Sequence, residues 1–385
     1  MRRIALALLL LQALPDTPLM AQDTFPPPGT PAPRPSASVL MQAFAPVDER
    51  IGSWIAAGYY AGASLRLEQD GRTLWQRTWG NQRDDSVEFI ASAGKWLAAA
   101  TILSVVDAGR LSLDDQVTTI LPAIGGRAGA ARLRQLLSHT SGYAPYQPAD
   151  RPSDQYQTLA EAVSAITPLP LAHEPGTVFA YGGLAMQVAG RMAEVASGEG
   201  FESLFQHAIA IPLGMTATHF TPVDGGFGHS PMLAGGARST LADYSRFLAM
   251  ILADGVIDGR RVLSLAALHA MLADQVGTAA IPADNFVATV RGAGHHGIYG
   301  LGVWRELEDE HGQALVVSSP SWAGAYPWID RRHRLSAMFL AHVQGPVVGH
   351  FDLFNPMTAS ADLPVLIDRA LCTLEAARAP EHAGQ

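Results

Sequence analysis

Ser92 and Lys95 stand three residues apart, and Lys95 is the single lysine among 26 basic residues, the other 25 being arginine. Arginine keeps its proton in every protein setting, whereas a desolvated lysine can release it. A lysine retained where arginine serves every other need for positive charge is a candidate for work that requires a neutral amine. From Ala91 to Val106 the sequence reads ASAGKWLAAATILSVV, with Lys95 as its sole charge. A helix apolar all round is normally buried, and lysine is almost never fully buried unless something pairs it or uses it. On a helix, residues three apart share a face within hydrogen-bond reach. If Ser92 opens that helix, unpaired N–H groups and the positive dipole end lie beside it. Burial and that field push the amine below its ordinary pKa of about 10.4. A neutral amine can then take the serine proton as the hydroxyl attacks an acyl carbon, while the amide-rich terminus steadies the developing oxyanion.

Competing chemistries lack their motifs. No Gly-x-Ser-x-Gly elbow occurs, and no His-Glu-x-x-His: His173-Glu174 runs directly into Pro175-Gly176. The one cysteine, Cys372, excludes an intramolecular disulfide, and no Cys/His cluster has zinc spacing. His295-His296 could ligate a metal, but Gly292, Gly294 and Gly297 around them read as a polar loop. No metal or organic cofactor is implied. A formal charge of −9 without any basic stretch argues against a nucleic-acid surface.

The elements that must position Ser92 and Lys95 are legible in outline. Hydrophobic residues make up 48% of the chain, enough for a sizeable core in one large domain or two intimately packed ones. Arg2 and Arg3 precede the apolar run Ile4 to Leu11, and Leu19-Met20-Ala21 offers a cleavage point after Ala21. Residues 1–21 therefore read as an export signal, directing the chain to the periplasm or outside the cell, with no stable membrane span in the mature protein. Residues 22–38 form a Pro-rich spacer.

Folding is expected to begin near Val39, where Leu40, Phe44, Val47, Ile51 and Ile55 recur at helical spacing. Two β-like runs, Tyr60 to Glu68 and Arg72 to Trp79, meet at Asp70-Gly71, a hairpin signal. Residues 110–275 read as mainly helical, with helices over Leu133 to Ser138, Tyr181 to Ser197 and Leu241 to Asp254. Strand character returns at Tyr299 to Leu307, Ala314 to Ser319 and Leu335 to His342, and a helix over Asp362 to Ala377 precedes a tail at 379–385. The expected architecture is α+β, with an antiparallel sheet built from both ends of a 39–378 domain (about 39–90 and 295–378) around a helical insertion.

Several stretches together resemble the penicillin-recognising serine hydrolases, near class C β-lactamases and nearer still to family VIII carboxylesterases. They are Ser92-Ala-Gly-Lys95, Asp107-Ala-Gly-Arg-Leu-Ser-Leu-Asp-Asp115, Leu136-Leu-Ser-His-Thr-Ser-Gly142, Pro175-Gly-Thr-Val-Phe-Ala-Tyr181, Gly235-Gly-Ala-Arg-Ser-Thr240 with Asp243 and Phe247, and Tyr299-Gly-Leu-Gly302. Each is modest alone; their order and spacing are specific, from about residue 40 to 375.

The resemblance implies a β-lactamase-like fold, Ser92 as acylated nucleophile, Lys95 as its base and Tyr181 as proton shuttle. A phenol's pKa can fall beside a cationic lysine, which would suit that role. Two departures stand out. The β-lactamase Asn two residues after the Tyr is Gly183 here, and a Lys-Thr-Gly strand cannot exist without a second lysine. Trp322-Ala323-Gly324 resembles the Trp-Gly-Gly of the esterases, with the Ala325 N–H as the implied second oxyanion donor beside that of Ser92. The implied substrate is a small ester; an amide, as a β-lactam or a D-amino-acid peptide, stays open, and so does a non-catalytic cell-wall sensor. His139 reads as satisfying local backbone groups, and Asp114 and Asp115 as caps. Arg238 either pairs with an acid or lies near the site. Acyl preference falls to loops such as 143–157 and 276–298, and oligomeric state is not legible.

Overall fold

The computed structural model describes residues 35–148, 158–221, 231–292 and 297–378. The export signal, residues 22–34 of the spacer, His295-His296 and the 379–385 tail lie outside them. Asp70 and Gly71 both take positive φ, 51° and 72°, as a two-residue hairpin turn requires. They join β1 (Tyr60–Gln69) to β2 (Arg72–Gly80). The short β3 (Glu88–Phe89), β4 (His219–Phe220) and β5 (Ala237–Ser239) form a separate sheet of order β3-β5-β4, and β6 (Val256–Ile257) and β7 (Arg260–Arg261) a small hairpin.

The remaining strands are β8 (Trp304–Glu308), β9 (Ala314–Ser318), β10 (Tyr326–Asp330) and β11 (Leu335–Val343). β11 lies antiparallel to β1, with Leu65 opposite Phe339. The main sheet has order β2-β1-β11-β10-β9-β8, so the two ends of the sequence do build one antiparallel sheet. β10 escaped the sequence reading because Pro327 sits in it, and proline demotes a run from strand status. Its missing N–H falls on the β9 side at the strand's end, where the Pro327 carbonyl still accepts from the Ser319 N–H at 3.1 Å.

Alternation along β11 divides the core. Ala337, Phe339 and Ala341 face a cluster with Phe44, Val47, Ile51, Trp54 and helix residues Leu363, Ile367 and Leu371. Met338 and Leu340 face the second cluster, which contains the helix Gly94–Asp107. Around that helix stand Leu133–Leu137, Leu159–Ile166, Leu184–Ser197 and Leu241–Leu252. Every residue from Gly94 to Leu103 is buried, which is why the run carries no polar face.

Boundaries moved for local reasons. The first helix starts at Ala37, inside the expected spacer, because the Ser36 side chain caps it by accepting from the Val39 N–H. It stops at Phe44, and a second helix runs Ala45–Ala56 with a proline in its first turn, where no N–H is needed. Helix Leu184–Ser197 begins after Tyr181, with Gly183 as its N-cap, so Tyr181 sits on the extended approach.

β8 starts at Trp304 because Tyr299-Gly-Leu-Gly302 bends. Gly302 has φ 74°, and a Cβ there would lie 2.6 Å from the Ala99 Cβ and 2.7 Å from the Lys95 carbonyl oxygen. Only glycine lets this turn press against the helix that carries Lys95. Gly302→Ala is therefore expected to cost about 2–4 kcal/mol, from left-handed strain plus backbone overlap. Urea unfolding checks it; a loss below about 1 kcal/mol means the turn moves freely and the contact does not constrain Lys95.

Candidate active site

Strand β3 delivers the chain into a single 3₁₀ turn, Ala91–Ala93, that opens onto the Gly94–Asp107 helix. Ala91 is held at φ 43°, a conformation that costs a non-glycine residue about 1–3 kcal/mol and persists only where packing enforces it. The enforcement is visible. The Ile90 N–H bonds to the Ala237 carbonyl at 3.0 Å, and the Ser92 and Ala93 carbonyls accept from the Ser319 and Tyr244 hydroxyls at 3.1 and 2.7 Å. Phe247, from the Thr240–Asp243 motif region, meets the Trp96 ring edge-on beside Lys95.

Lys95 Nζ lies 3.1 Å from Ser92 Oγ and donates to the Ala234 carbonyl at 2.7 Å. It also sits 4.6 Å above the centroid of the Tyr181 ring. The side chain is only 3% exposed, and burial brings its pKa down from 10.5 to about 7. Near neutral pH the amine is thus divided between its two protonation states.

Tyr181 is hydrogen-bonded to Ser92, but burial outweighs that bond and raises the phenol well above its ordinary range. This corrects the expectation of a lowered phenol. The dry pocket disfavours phenolate more than a half-protonated amine favours it, so Tyr181 rests as a neutral phenol.

Gly183 lies on the amine's side of the site, since a Cβ there would stand 3.3 Å from the Cβ of Ala234, the residue whose carbonyl holds Lys95. Trp322, Ala323 and Gly324 form a tight turn in which the Gly324 N–H bonds to the Ser321 carbonyl and the Ser321 N–H to the Ala325 carbonyl. Gly324 has φ 120°, and a Cβ there would meet the Ala341 carbonyl at 2.8 Å. Ala323 packs with Ala91 and Phe89, and Trp322 against them, which sets the turn beside the residue preceding Ser92. Among the described residues, the Ala325 N–H has no acceptor.

His139 is more than a local cap. It takes φ 59°, its carbonyl accepts from the Ala180 N–H at 2.8 Å, and its ring centroid is 4.7 Å from that of Tyr181. Asp115 accepts from the Ser112 N–H and Asp114 pairs with Arg134, as caps and turn residues do. The Arg238 guanidinium lies over the Phe89 ring at 5.4 Å, near the chain leading to Ser92. Sequence reasoning missed Ala234, Tyr299 and Trp304 as parts of the site. A carbonyl carries no sequence signal, although Ala234 directly precedes the Gly235-Gly motif.

Asp330, His333 and Asp368 are the one metal-like grouping among the described residues. The Arg332 guanidinium donates to both carboxylates there and supplies the charge an ion would bring.

The Beta-lactamase family profile matches residues 47–355. Penicillin-binding protein 4 of Amycolatopsis lactamdurans is 32% identical over 283 residues, spanning 64% of this chain and 73% of that one. The D-alanyl-D-alanine-carboxypeptidase/endopeptidase AmpH of Escherichia coli K12 is 30% identical over 190 residues, 45% of this chain and about half (49%) of AmpH's length. A crystal structure of a candidate beta-lactamase from Bacteroides dorei DSM 17855 superposes with TM-score 0.80 at 48% identity, covering 86% of this chain and 99% of that one. EstCE1, a hydrolase with promiscuous acyltransferase activity, shares the fold at TM-score 0.68 and 20% identity over 87% of this chain and all (100%) of its own. The match across most of the sequence and the geometry around Ser92 lead to one assignment: the chain belongs to the beta-lactamase family of serine hydrolases.

Proposed function

We propose that the protein is a carboxylesterase acting on short or medium acyl esters through an acyl-enzyme on Ser92. The observation that carries the reading is the buried Lys95 amine 3.1 Å from Ser92 Oγ, with its pKa near 7. The neutral amine takes the Ser92 proton while Oγ bonds to the ester carbonyl carbon. The resulting oxyanion is held by the N–H groups of Ser92 and Ala325. Collapse breaks the bond to the alkoxy oxygen, which leaves as alcohol with the proton that passes from Lys95 through Tyr181. Water then loses a proton along the same route in reverse, attacks the acyl carbon and frees the acid.

Ester is favoured over amide by Gly183, which removes the side chain that would contact Lys95 and a substrate amide. The chain also has no second lysine to hold a substrate carboxylate. Three of the similar proteins bear names that point to the amide reading, so the test compares p-nitrophenyl butyrate with a chromogenic cephalosporin. Ester turnover exceeding cephalosporin turnover supports the proposal; strong cephalosporin hydrolysis with negligible ester hydrolysis overturns it. A folded protein that forms no fluorophosphonate adduct on Ser92 would instead be the non-catalytic sensor.

The pH dependence follows from the amine. Loss of its proton activates it, so kcat/KM should rise through an acid limb near pH 7 and level above it. A profile flat from pH 5 to 8 would remove Lys95 as the base. No helix among the described residues is long and apolar enough to cross a membrane. Export by the N-terminal segment and a single hydrolase domain over 39–378 complete the proposal.

A further inference from the structure

His139 is buried at 2% exposure beside the reacting groups, yet the acyl-transfer steps give it no task. Its carbonyl holds the Ala180 N–H at 2.8 Å, one residue before Tyr181. Its ring faces Tyr181 at 4.7 Å and Tyr299 at 5.0 Å, and its Nε2 lies 3.2 Å from the Tyr299 hydroxyl. Tyr181 is in turn flanked by Trp304 at 5.1 Å and carries Lys95 Nζ on its face at 4.6 Å. We propose that His139 is a positioning residue, whose carbonyl and imidazole together fix the Tyr181 ring against the Lys95 amine and keep water from its rear.

The backbone and side chain act on the same target. The left-handed conformation at His139 turns its carbonyl toward Ala180, and its ring packs into the aromatic wall. The hydroxyl of Tyr299 fixes the imidazole plane. The neighbouring Gly302 N–H bonds to the Leu137 carbonyl at 3.1 Å, tying the same turn to the His139 segment from the other side. The titratable groups around the Lys95–Tyr181 pair are His139, Tyr299 and, from the loop after Gly142, Tyr146. Burial and the Lys95 charge hold the imidazole neutral, and burial keeps the Tyr181 and Tyr299 phenols neutral. A neutral wall puts no net charge beside Lys95, so its main effect there is to exclude water.

The inference rests on the reading of Ser92, Lys95 and Tyr181 given above, and its test separates the two. His139→Asn keeps the left-handed backbone, which asparagine adopts readily, and removes only the ring. Admitting water lessens the penalty on the charged amine, so the acid limb of kcat/KM should move up by about half to one pH unit. The kcat should fall about tenfold with KM within about twofold, since substrate is bound elsewhere. Tyr299→Phe removes the hydroxyl that orients the imidazole and should shift the limb in the same direction by less.

If both variants keep the wild-type limb, whether with wild-type kcat or with a loss shared equally by kcat and KM, the inference is overturned. Should His139→Asn not fold, the Tyr299→Phe limb decides alone. A wild-type enzyme with no adduct on Ser92 or no limb near pH 7 sinks the underlying reading instead. A wild type that shows both, beside variants with an unmoved limb, sinks only the role of His139.

Discussion

Replacing Lys95 with methionine is expected to lower ester turnover by about 10³–10⁴-fold while leaving the protein folded and, near neutral pH, more stable. The activity loss follows from geometry: among the described residues, Nζ is the base within hydrogen-bond reach of Ser92 Oγ, and the nearby imidazole of His139 is held neutral within the aromatic wall. The stability gain follows from linkage. Lowering the amine from 10.5 to about 7 costs the folded state up to about 5 kcal/mol at or below pH 7, at about 1.4 kcal/mol per pH unit. Methionine leaves the Ala234 carbonyl without its donor, which costs about 1–3 kcal/mol. The net is a gain of about 2–4 kcal/mol.

The sign has a pH signature. Between about 7 and 10.5 the unfolded chain holds a proton that the folded chain has lost, so wild-type stability rises with pH across that window. The methionine variant has no such slope. Its advantage should be full at pH 6–7, shrink as pH rises, and reverse by about pH 10. Urea titrations of both proteins at three pH values would show the crossing; ester turnover within about tenfold of wild type would end the case for Lys95 as base.

Tyr181→Phe should reduce kcat by about 10²-fold with KM nearly unchanged. The ring stays beneath the Lys95 amine and between His139 and Trp304, so packing survives. Only the hydroxyl that meets Ser92 is lost, and with it the proposed route by which a proton reaches the departing alkoxide. A discriminating measurement varies the leaving group. In kcat/KM, which reports acylation alone, activated phenyl esters, whose alkoxide leaves without help, should lose far less than alkyl esters. Equal losses for both would make Tyr181 a packing residue.

How far these features could be read in advance depended on whether the information is local. The Asp70-Gly71 turn and the apolar run after Ser92 were legible because φ preference and hydrophobic periodicity act over a few residues. Ser92, Lys95 and Tyr181 were legible as residue types in motifs. The strand Tyr326–Asp330 was hidden by Pro327, whose penalty is small at the end where it falls. Tyr299, Trp304 and His139 as one aromatic wall were hidden for a different reason. Each looks like an ordinary core residue, and only the bend at Gly302 brings Tyr299 against both Trp304 and His139. The electrostatics of Tyr181 were misjudged, because the charge beside it was weighed and the dryness around it left out.

The pairing of β1 with β11 carries a consequence for biogenesis. Leu65 waits for Phe339, so the central ladder cannot close until the chain has been made past residue 339. Until then β1 offers an unpaired edge to any passing strand, the hazard of slow, long-range topologies. A ribosome that stalls before residue 335 would release a chain in which Ser92 and Lys95 are present as residues but have no anvil to be pressed against, so premature termination should yield inert aggregate and never a partly working enzyme.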